Sequence, residues 1–456
     1  MSLLDELKQL IKDQDRVSTN ETVRYNHGRD LTYHPASEPE VVVFPVNVEE
    51  VQQVVKIANT YNVAITPYGV GSSLEGHTIP VEGGITLDMS RMNQIKEIRE
   101  DDFIVIVEPG VTRRQLGKAL KKYGLFFPVD PGADATIGGM TATNASGTNT
   151  VGYGGMHQHV LGLEVVLASG KVITPGGLSF KSSSGYALKD LFIGSEGTLG
   201  IITEISLRVH GIPEVVQAGK ALFSDVASAG RAAELLLRAG VEVKRIELVD
   251  EQTIVAVNRF SQTSYEEVPS LFIELDGAEQ AVNEQVELIK QLFQDENCLS
   301  VTFERDEKKR QEMWHARHEA AMSVIGLTPG KQLTSTDVCV PISELTKAII
   351  ETRKILDRYP IVSALFGHVG DGNFHVVVAV DRDSQEEVAQ YKKLNGEIIA
   401  YALSVGGTCT GEHGIGMGKK DYFYKEHDEE TIQTMKLIKQ ALDPLNRLNP
   451  GKIFKN

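Results

Sequence analysis

The sequence predicts an α+β fold with more than one domain, and three observations support this prediction. The chain has 456 residues, which exceeds the size at which a single hydrophobic core stops growing. Strand and helix patterns alternate before about Pro213, and longer helices interspersed with strands follow it. The last part returns to a glycine-rich loop, a helix and the sequence NPGKIF. We therefore expect a helical segment at 1–35, a ligand-binding domain at 36–213, an α+β cap domain with an antiparallel sheet at 214–408, and a segment at 409–456 that returns to the ligand-binding domain.

The charge of the chain argues against polyanionic partners. The formal net charge is −16 and the isoelectric point is near 5.3, a balance that repels nucleic-acid phosphates and anionic lipid. Charged residues interrupt the opening stretch MSLLDELKQLIKDQ, so this stretch predicts an amphipathic surface helix and not a signal peptide. Further along, the apolar runs are shorter than a membrane span requires. We expect a cytoplasmic protein, either free or held at the membrane surface through a partner, that neither binds nucleic acid nor spans the membrane.

The cysteines limit the redox chemistry that the chain can carry by itself. Cys298, Cys339 and Cys409 are odd in number and none belongs to a CxxC motif. This pattern predicts neither a disulfide framework nor an iron–sulfur cluster. Any redox reaction therefore needs another cofactor.

A β-α-β unit is predicted near the start of the ligand-binding domain. Val41–Phe44 has the pattern of a buried strand. Asn47 is a suitable N-cap, with Glu50 at the third helical position, for a helix that continues to about Asn59. A second strand begins at Ala64. The two strands and the helix between them therefore form the predicted β-α-β unit.

A second unit of the same β-α-β kind is predicted about forty residues later. Ile104–Val107 is the predicted strand, Thr112 and Gln115 are placed to form a capping box, and the helix should end near Tyr123 with Gly124 as its stop. In the cap domain the clearest predictions are a helix over Ala227–Ala239 and a strand over Leu271–Leu275.

Three segments are rich in glycine and other small residues, and each lies next to a predicted strand. They are TPYGVGSSLEGHT (66–78), PGADATIGGMTATNASGT (131–148) and GSEGTLGIIT (194–203). Glycine allows backbone N–H groups to approach a ligand, and successive N–H groups form an anion-binding nest. The first segment is neither a Rossmann loop, since Leu74 takes the third glycine position, nor a Walker A loop, since His77 and Thr78 replace the Lys-Ser/Thr pair. Taken alone, each segment of this kind is more often a plain turn than a cofactor site.

Together, in this order, the three segments resemble the FAD-binding domain of the vanillyl-alcohol oxidase and p-cresol methylhydroxylase superfamily. The resemblance implies that the first segment holds the FAD pyrophosphate, the second runs beside the adenosine and ribityl parts, and the third lies near the isoalloxazine ring. The residues that this carries over as candidate FAD ligands are Pro67, Tyr68, Gly69, Val70, Gly71, Ser72, Ser73, His77, Pro131, Gly132, Thr136, Gly138, Gly139, Asn144, Gly147, Glu196, Gly197, Gly200, Ile201 and Ile202.

The resemblance also bears on how FAD is held. Members that bind FAD covalently through the first segment carry a histidine at the position that matches Ser72. Serine at this position implies non-covalent FAD. His77, further along the same segment, is the alternative point of attachment.

Two histidine-containing motifs lie in the second half of the chain. FGHVGDGNFH contains His368 and His375, and GEHGIG places Glu412 beside His413. Neutral imidazole is the commonest protein ligand for zinc and related metals, and a carboxylate can complete such a site. A histidine pair is also common as a structural or surface feature. Adjacent side chains in an extended segment point in different directions, so Glu412 could bind a metal while His413 acts as a base.

With NPGKIF, these motifs are similar to those of the FAD-dependent D-2-hydroxyacid dehydrogenases, a family that includes D-lactate dehydrogenase, the catalytic subunit of glycolate oxidase and D-2-hydroxyglutarate dehydrogenase. The similarity extends from about Glu38 to Ile453. It implies that His368, His375 and Glu412 bind a divalent metal, Zn or Mn, and that His413 is the catalytic base. It also implies that Arg317 in MWHARHE binds the substrate carboxylate, whereas the helix pattern alone favours a solvated arginine.

The reaction that the resemblance implies is the oxidation of a D-2-hydroxy acid to the 2-oxo acid, with proton removal by His413 and hydride transfer to flavin N5. The hydroxyglutarate enzymes carry Thr, Lys and Asn around a second substrate carboxylate, where this chain has Ala321, Ser335 and Val377. A second carboxylate would lack partners there, at a cost of several kcal/mol if buried. We therefore expect a small monoacid, D-lactate or glycolate, with D-2-hydroxyglutarate as the alternative.

The sequence leaves the electron acceptor open among a quinone, another flavoprotein, an iron–sulfur subunit and oxygen, and it is compatible with a homodimer or a complex with other glycolate oxidase subunits. Three rival functions are a metal hydrolase without flavin, a non-catalytic flavin-binding subunit, and a transferase of the alkyl-dihydroxyacetone-phosphate synthase kind. The hydrolase leaves the glycine-rich segments unexplained. The chain retains the metal-binding residues that a non-catalytic subunit would tend to lose, and it lacks a recognisable phosphate-ester site for the transferase.

Overall fold

The computed structural model describes residues 1–455 and contains two compact units. The first unit comprises 1–146, 154–212 and the chain from Glu412 onward. The second unit comprises Gly147–Tyr153 and Pro213–Gly411. Strands and helices are numbered below along the whole chain.

The first unit contains three sheets. Its strands are β1 (Val17–Ser18), β2 (Val41–Val43), β3 (Ile65–Tyr68), β4 (Ile85–Asp88), β5 (Ile95–Arg99), β6 (Ile104–Val107), β7 (Leu125–Phe126), β8 (Val160–Val166), β9 (Val172–Ile173), β10 (Ile201–Arg208) and β11 (His210–Gly211). Its helices are α1 (Leu3–Leu10), α2 (Glu21–His27), α3 (Val48–Tyr61), α4 (Arg113–Leu120), α5 (Ile137–Ala142), α7 (Met156–His159), α8 (Leu188–Phe192), α16 (Lys420–Glu426) and α17 (Glu429–Leu442). The sheet orders are β1-β2-β4-β3, β5-β6-β10-β8-β9 and β11-β7.

The predicted β-α-β unit is confirmed. Strands β2 and β3 both pair in parallel with β4, which lies between them, and α3 connects β2 to β3. The Asn47 side chain accepts the backbone N–H of Glu50, as expected of an N-cap. The Glu50 carboxylate binds Arg16 at 2.6 Å and the backbone N–H of Val46, so it does not return to Asn47. The Glu50 carboxylate is therefore occupied by Arg16 and Val46, and it does not form the second hydrogen bond of a capping box.

The second predicted helix is also present, with a similar change at its start. Thr112 caps α4 by accepting the N–H of Gln115, but the Gln115 amide donates to the carbonyl of Asn93. A short 3-10 turn over Lys121–Tyr123 follows α4, and Gly124 ends it with φ 67°. Strand β6 belongs to an antiparallel sheet, so this segment is not a second β-α-β unit.

Two hydrophobic clusters stabilise the first unit. One packs α1 and α3 against β2, β3 and β4, with Val54, Ile65 and Leu87 fully buried or nearly so. The other surrounds the five-stranded sheet and includes Leu116 of α4 and Ile137 of α5. Each buried branched side chain contributes about 1.5–3 kcal/mol. These clusters hold the ends of β3, α5 and β10, from which the glycine-rich segments extend.

The second unit is a single antiparallel sheet of eight strands with helices. Its strands are β12 (Val215–Phe223), β13 (Arg245–Val249), β14 (Ser270–Gly277), β15 (Cys298–Glu304), β16 (Gln332–Ser335), β17 (Val338–Cys339), β18 (Ser363–Gly367) and β19 (Asn373–Val380). The order is β15-β12-β14-β13-β18-β19-β16, and β17 also pairs with β19. Its helices are α6 (Thr150–Tyr153), α9 (Val226–Arg238), α10 (Glu251–Ser261), α11 (Glu279–Phe293), α12 (Glu307–His318), α13 (Ala320–Gly326), α14 (Leu345–Leu356) and α15 (Gln385–Ser404).

The antiparallel sheet, the helix predicted over 227–239 and the strand predicted over 271–275 are therefore confirmed. Among residues 1–455, no helix combines the length and the hydropathy that a membrane span requires.

Candidate active site

The first two glycine-rich segments meet where β3 ends and α5 begins. Strand β3 ends with Pro67 and Tyr68, and Thr136 occupies the N-cap position of α5. The backbone of Gly69 lies so close to Thr136 that a Cβ on residue 69 would overlap the threonine hydroxyl. A side chain at residue 69 would force the Thr136 hydroxyl to move, so the small residue favours the packing of one segment on the other.

The third segment joins the second through backbone hydrogen bonds. The N–H of Gly194 donates to the carbonyl of Thr141 at 3.0 Å, and the N–H of Glu196 donates to that of Ala142 at 2.8 Å. Glu196 has φ 55°, a conformation that side chains other than glycine and asparagine rarely adopt. Such strain persists only where the surroundings impose it. The residue is therefore held by contacts that outweigh its backbone preference.

Those contacts are made by the Glu196 carboxylate, which is buried. It accepts the backbone N–H groups of Ile415 and Gly416 at 2.7 and 2.9 Å, and it lies 3.3 Å from His77 Nε2. Burial alone would raise the pKa of Glu196, but His77 and the two N–H groups more than offset it, so the pKa is lowered. Burial likewise opposes the charged form of His77, yet Glu196 raises its pKa. Each of the two side chains therefore favours the charged form of the other.

Further contacts tie the GEHGIG motif to the glycine-rich segments. A Cβ at Gly414 would lie 2.7 Å from His77 Nε2, so the chain passes there without room for a side chain. Glu412 accepts a hydrogen bond of 2.7 Å from the Ser146 hydroxyl in the second segment. The Asn449 amide donates to the carbonyls of His77 and Glu196. His413 is thus part of a backbone anchored on both sides.

The flavin nucleotide implied by the sequence fits this arrangement. Among the described residues, the hydroxyls of Ser73 and Thr78 are enclosed without a hydrogen-bond partner, and buried polar groups of this kind normally have one. Lys452 is buried nearby in the fold, donates to the carbonyl of Ile79 at 2.7 Å, and has a pKa that burial lowers to about 8. Unsatisfied hydroxyls in a glycine-rich loop are suited to phosphate oxygens.

The other candidate FAD ligands are distributed unevenly. Pro131 and Gly132 lie in the loop before α5, and Gly132 is exposed. The side chains of Ile201 and Ile202 pack into the two hydrophobic clusters of the first unit. Gly147 begins the short segment that belongs to the second unit. The remaining candidates lie in the loop after β3, in α5 and its ends, and before β10: Val70, Gly71, Ser72, Gly138, Gly139, Asn144, Gly197 and Gly200.

In the second unit, the two histidines of FGHVGDGNFH approach each other across a hairpin. His368 directly follows β18 and His375 lies on β19. Their ring centroids are 5.3 Å apart at an interplanar angle of 80°, and a ring nitrogen of each lies within 4.8 Å of the other. Both side chains are buried. This is a spacing that a single metal ion could bridge.

A buried glutamate connects His368 to Arg317. Glu247 lies on β13 and is fully buried. One oxygen lies 2.6 Å from His368 Nδ1, and the other accepts a 2.8 Å hydrogen bond from Arg317 Nε. Burial alone would raise the pKa of Glu247, but His368 and Arg317 reverse the effect, so the pKa is lowered. Because a carboxylate only accepts hydrogen bonds, His368 Nδ1 is the donor.

His375 has an equivalent environment. Its Nδ1 lies 3.3 Å from the carbonyl of Thr336 and 3.6 Å from the Asp337 carboxylate. Asp337 is fully buried, accepts the Asn373 amide at 2.8 Å and accepts the Thr410 hydroxyl at 2.6 Å. Metal-binding histidines characteristically donate one ring N–H to a carboxylate or carbonyl and coordinate through the other nitrogen. The chemistry of the donors therefore fits a metal at Nε2 of both rings.

The sequence interpretation did not identify Glu247 or Asp337. Glu247 stands in the strand RIELV and Asp337 in TSTDVCVP. A lone acidic residue inside an apolar strand is a signal, since such residues are rarely buried unless paired. The two partners of Glu247 are 70 and 121 residues away in the chain. A local sequence pattern therefore cannot reveal them.

The residues that the sequence analysis associated with the substrate lie around one hydrophobic cluster of the second unit. Arg317 places its guanidinium 4.3 Å from the Phe366 ring centroid. Val377 belongs to the cluster that contains Phe366, Ala321 packs against it, and Ser335 pairs with Val377 across β16 and β19. Trp314 is 4% exposed and packs against Phe272 of β14. The tryptophan therefore lies where α12 packs against the sheet.

Comparison with known proteins agrees with these features. The family model for FAD-linked oxidases, C-terminal domain, matches residues 212–453, and the FAD-binding domain model matches residues 39–176. A probable mitochondrial D-lactate dehydrogenase of Danio rerio is 43% identical over 97% of this chain and 90% of its own length. The mitochondrial D-lactate dehydrogenase (cytochrome) of Arabidopsis thaliana is 41% identical over 99% and 80%. A glycolate oxidase subunit of Bacillus subtilis is 35% identical over 94% and 92%.

Solved structures extend the comparison to the fold. The 4-ethylphenol oxidase of Gulosibacter chungangensis has a TM-score of 0.82 with 20% identity, over 99% of this chain and 96% of that one. A p-cresol methylhydroxylase has a TM-score of 0.79 with 20% identity over the same shares. These scores establish the vanillyl-alcohol oxidase type of fold that the glycine-rich segments predicted.

Proposed function

Since the chain belongs to the FAD-linked oxidase family and is an FAD-linked D-2-hydroxyacid dehydrogenase, we propose that it oxidises a small D-2-hydroxy monoacid, D-lactate or glycolate, with the help of a divalent metal. The observation that carries the proposal is the Glu247 carboxylate, which joins Arg317 to His368. Through Glu247, the guanidinium of Arg317, which is suited to a substrate carboxylate, is joined to the imidazole of His368, which is suited to a metal.

The first unit is proposed to hold FAD non-covalently. The glycine-rich segments would hold its phosphates and ring, with Ser73 and Thr78 as hydroxyl donors. Bound FAD supplies the acceptor for the hydride of the substrate α-carbon. Ser72 stands at the position of covalent attachment in related proteins, and His77 is engaged with Glu196, which supports a dissociable cofactor.

The metal ligands are proposed to be His368, His375 and Glu412. Glu412 directly follows Gly411 in the chain, and Thr410, two residues earlier, is bonded to the Asp337 carboxylate beside His375. A Zn or Mn ion at these ligands would polarise the substrate hydroxyl. Nδ1 of each ring binds an oxygen of the protein, which fixes the ring orientation before a metal arrives.

Two further side chains are proposed to act on the substrate itself. Arg317 binds the substrate carboxylate through its terminal amino groups, because its Nε is taken by Glu247. His413 accepts the hydroxyl proton, a role for which imidazole is suited near neutral pH. Its position is supported by the anchoring of GEHGIG through Glu196 and the Ser146–Glu412 hydrogen bond.

The preference for a monoacid rests on the cluster around Phe366. Val377 is buried in it, Ala321 packs against it, and the Ser335 hydroxyl donates to the carbonyl of Thr336. None of these three side chains offers a charge to a second carboxylate. Glycolate and lactate differ by one methyl, worth about 1–3 kcal/mol in an apolar pocket.

The cellular setting follows the relatives only in part. The Danio and Arabidopsis proteins are mitochondrial by name, whereas the composition of this chain supports a cytoplasmic protein. The Bacillus relative is a subunit of glycolate oxidase, which supports partner subunits carrying the onward electron transfer. We propose a cytoplasmic enzyme that passes electrons to a separate acceptor, namely a quinone, a flavoprotein or an iron–sulfur subunit.

An anaerobic titration tests the proposal. The FAD-loaded protein is mixed separately with D-lactate, glycolate, L-lactate and D-2-hydroxyglutarate, and the visible flavin band is followed before and after treatment with EDTA. Bleaching by D-lactate or glycolate that is lost after chelation is the expected result. Faster bleaching by D-2-hydroxyglutarate would refute the monoacid preference, and bleaching unaffected by chelation would refute the metal. A flavin that no hydroxy acid bleaches would favour a non-catalytic subunit.

A further inference from the structure

We infer that Glu247 is a positioning residue that sets the orientation of Arg317 and the tautomer of His368 at once. The inference rests on the proposed function, in which these two side chains bind the substrate carboxylate and the metal. Each oxygen of Glu247 serves one partner, at 2.8 Å for Arg317 Nε and 2.6 Å for His368 Nδ1. No residue of the sequence motifs supplies this connection.

Stability alone does not account for a carboxylate at this position. Glu247 is fully buried on β13, between β14 and β18, and desolvating a charge costs several kcal/mol before its partners offset it. Replacing a buried ion pair by apolar side chains is often neutral or stabilising. Apolar side chains in place of Glu247 and both of its partners would therefore serve the sheet at least as well, and retention of the polar set points to a role in the site.

Glu247 binds one nitrogen of Arg317 and one nitrogen of His368, so each of these side chains has other nitrogens for its proposed role. Glu247 takes only Nε of Arg317, and the terminal amino groups that form the bidentate fork for a carboxylate lie on the other side of the guanidinium. Glu247 also accepts the Nδ1 proton of His368, which makes Nε2 the atom with the lone pair. The same carboxylate therefore directs one partner toward an anion and the other toward a cation.

Replacing Glu247 by glutamine reverses the tautomer. Arginine can only donate, so the amide oxygen of glutamine must face Arg317. Its amide nitrogen then faces His368 Nδ1, which must accept. The imidazole proton moves to Nε2, and a protonated nitrogen cannot coordinate a metal. The shape of the side chain is almost unchanged, so this variant isolates the effect of the second oxygen.

Asp250 provides a matched control in the same unit. It is fully buried, binds Arg353 at 2.8 Å, and accepts the backbone N–H of Thr253 at the start of α10. Asp250→Asn thus also replaces one fully buried carboxyl group next to one arginine, without contact to Arg317 or His368. Its effects report what loss of a buried carboxyl group beside an arginine does to the unit as a whole.

The experiment titrates Zn²⁺ into chelator-treated, FAD-loaded protein and measures KM and kcat for D-lactate after reloading. We expect Glu247→Gln to weaken Zn²⁺ binding by about 10–100-fold and to raise KM, with an unchanged flavin spectrum. Asp250→Asn should leave Zn²⁺ affinity and KM within about twofold of the wild type, because it contacts neither partner of Glu247. Equal Zn²⁺ affinities for the two variants would overturn the inference.

The proposed function has its own outcome in the same experiment. A wild-type protein that binds no Zn²⁺ or Mn²⁺ and ignores EDTA overturns the metal site, and the role of Glu247 with it, before any variant is measured. If Glu247→Gln does not fold, Glu247→Asp takes its place, because it keeps the charge but withdraws both oxygens by one methylene. It should weaken Zn²⁺ binding at least about fivefold, and unaltered binding would overturn the inference.

Discussion

Glu196 provides the most direct test of how the GEHGIG motif is held in place. Substituting glutamine keeps the size of the side chain but removes its charge. The glutamine oxygen can accept only one of the N–H groups of Ile415 and Gly416, now 2.7 and 2.9 Å from the carboxylate. The other N–H faces an amide donor, and the ion pair with His77 is lost. Hydrogen bonds to charged groups contribute about 1.5–3 kcal/mol each, so we expect a net loss of about 2–4 kcal/mol.

The pH dependence of stability adds an independent signature. The folded pKa of His77 is raised above its ordinary 6.5, so its contribution is complete below about pH 6.5 and is lost as pH rises through the folded value. The folded pKa of Glu196 is lowered below 4.5, so its contribution is present above about pH 4.5 and is lost as pH falls through the folded value. The pair therefore stabilises the protein most between these limits. Glu196→Gln should flatten both slopes.

The assay is a thermal melt of the FAD-loaded protein at a series of pH values. A loss of 2–4 kcal/mol corresponds to a fall in Tm of about 5–10 °C for a unit of this size. Glu204→Gln is the control, since Glu204 forms a half-exposed pair with Lys96 at 2.7 Å on the same unit, and exposed pairs contribute about 0–1 kcal/mol. Equal shifts for the two variants, or an unchanged pH profile in Glu196→Gln, would refute the reasoning.

Three further predictions concern the reaction and the cofactor. His413→Ala should abolish flavin reduction by D-lactate in a stopped-flow measurement while FAD binding is retained, and a variant that still reduces its flavin would exclude His413 as the base. Arg317→Lys should raise KM for D-lactate by about tenfold or more, because lysine cannot both bind Glu247 and present a planar fork to a carboxylate; an unchanged KM would remove Arg317 from the substrate site. Denaturing the wild-type protein with acid should release all of its FAD into the supernatant, and flavin that stays with the precipitated chain would indicate covalent attachment.

The glycine-rich segments could be identified from sequence because their function depends on backbone, and glycine is the visible trace of a backbone requirement. Gly69 next to Thr136 is an example, since a side chain there would force the Thr136 hydroxyl to move. The β-α-β unit was equally accessible, because its hydrophobic pattern and its N-cap at Asn47 are local. What the sequence could not show was the choice of partner. Glu50 binds Arg16 and Gln115 binds Asn93, although local spacing pointed both of them to a capping box.

The same limitation explains why Glu247 and Asp337 were missed at the site. Each is a single acid in a strand, and its meaning depends on residues that only the sheet brings near. His368 and His375 were found because only six residues, VGDGNF, separate them in one glycine-rich motif. Glu196 was expected to contact the cofactor, and the structure shows its carboxylate bound to His77, Ile415 and Gly416. The motifs therefore identified which residues are important, but they did not identify the partners of each side chain.

Charge provides the last argument for a cation at the proposed ligands. Glu247, Asp337 and Glu412 are acidic, Arg317 is the one guanidinium of the proposed set, and neutral imidazoles add nothing. The set therefore carries two net negative charges, which would repel the carboxylate of a hydroxy acid. A divalent cation cancels both and leaves Arg317 free to attract the substrate. Chelation should consequently weaken the binding of D-lactate itself as well as its oxidation, and a dissociation constant that is the same with and without the metal would show that the cation is not needed to admit the anion.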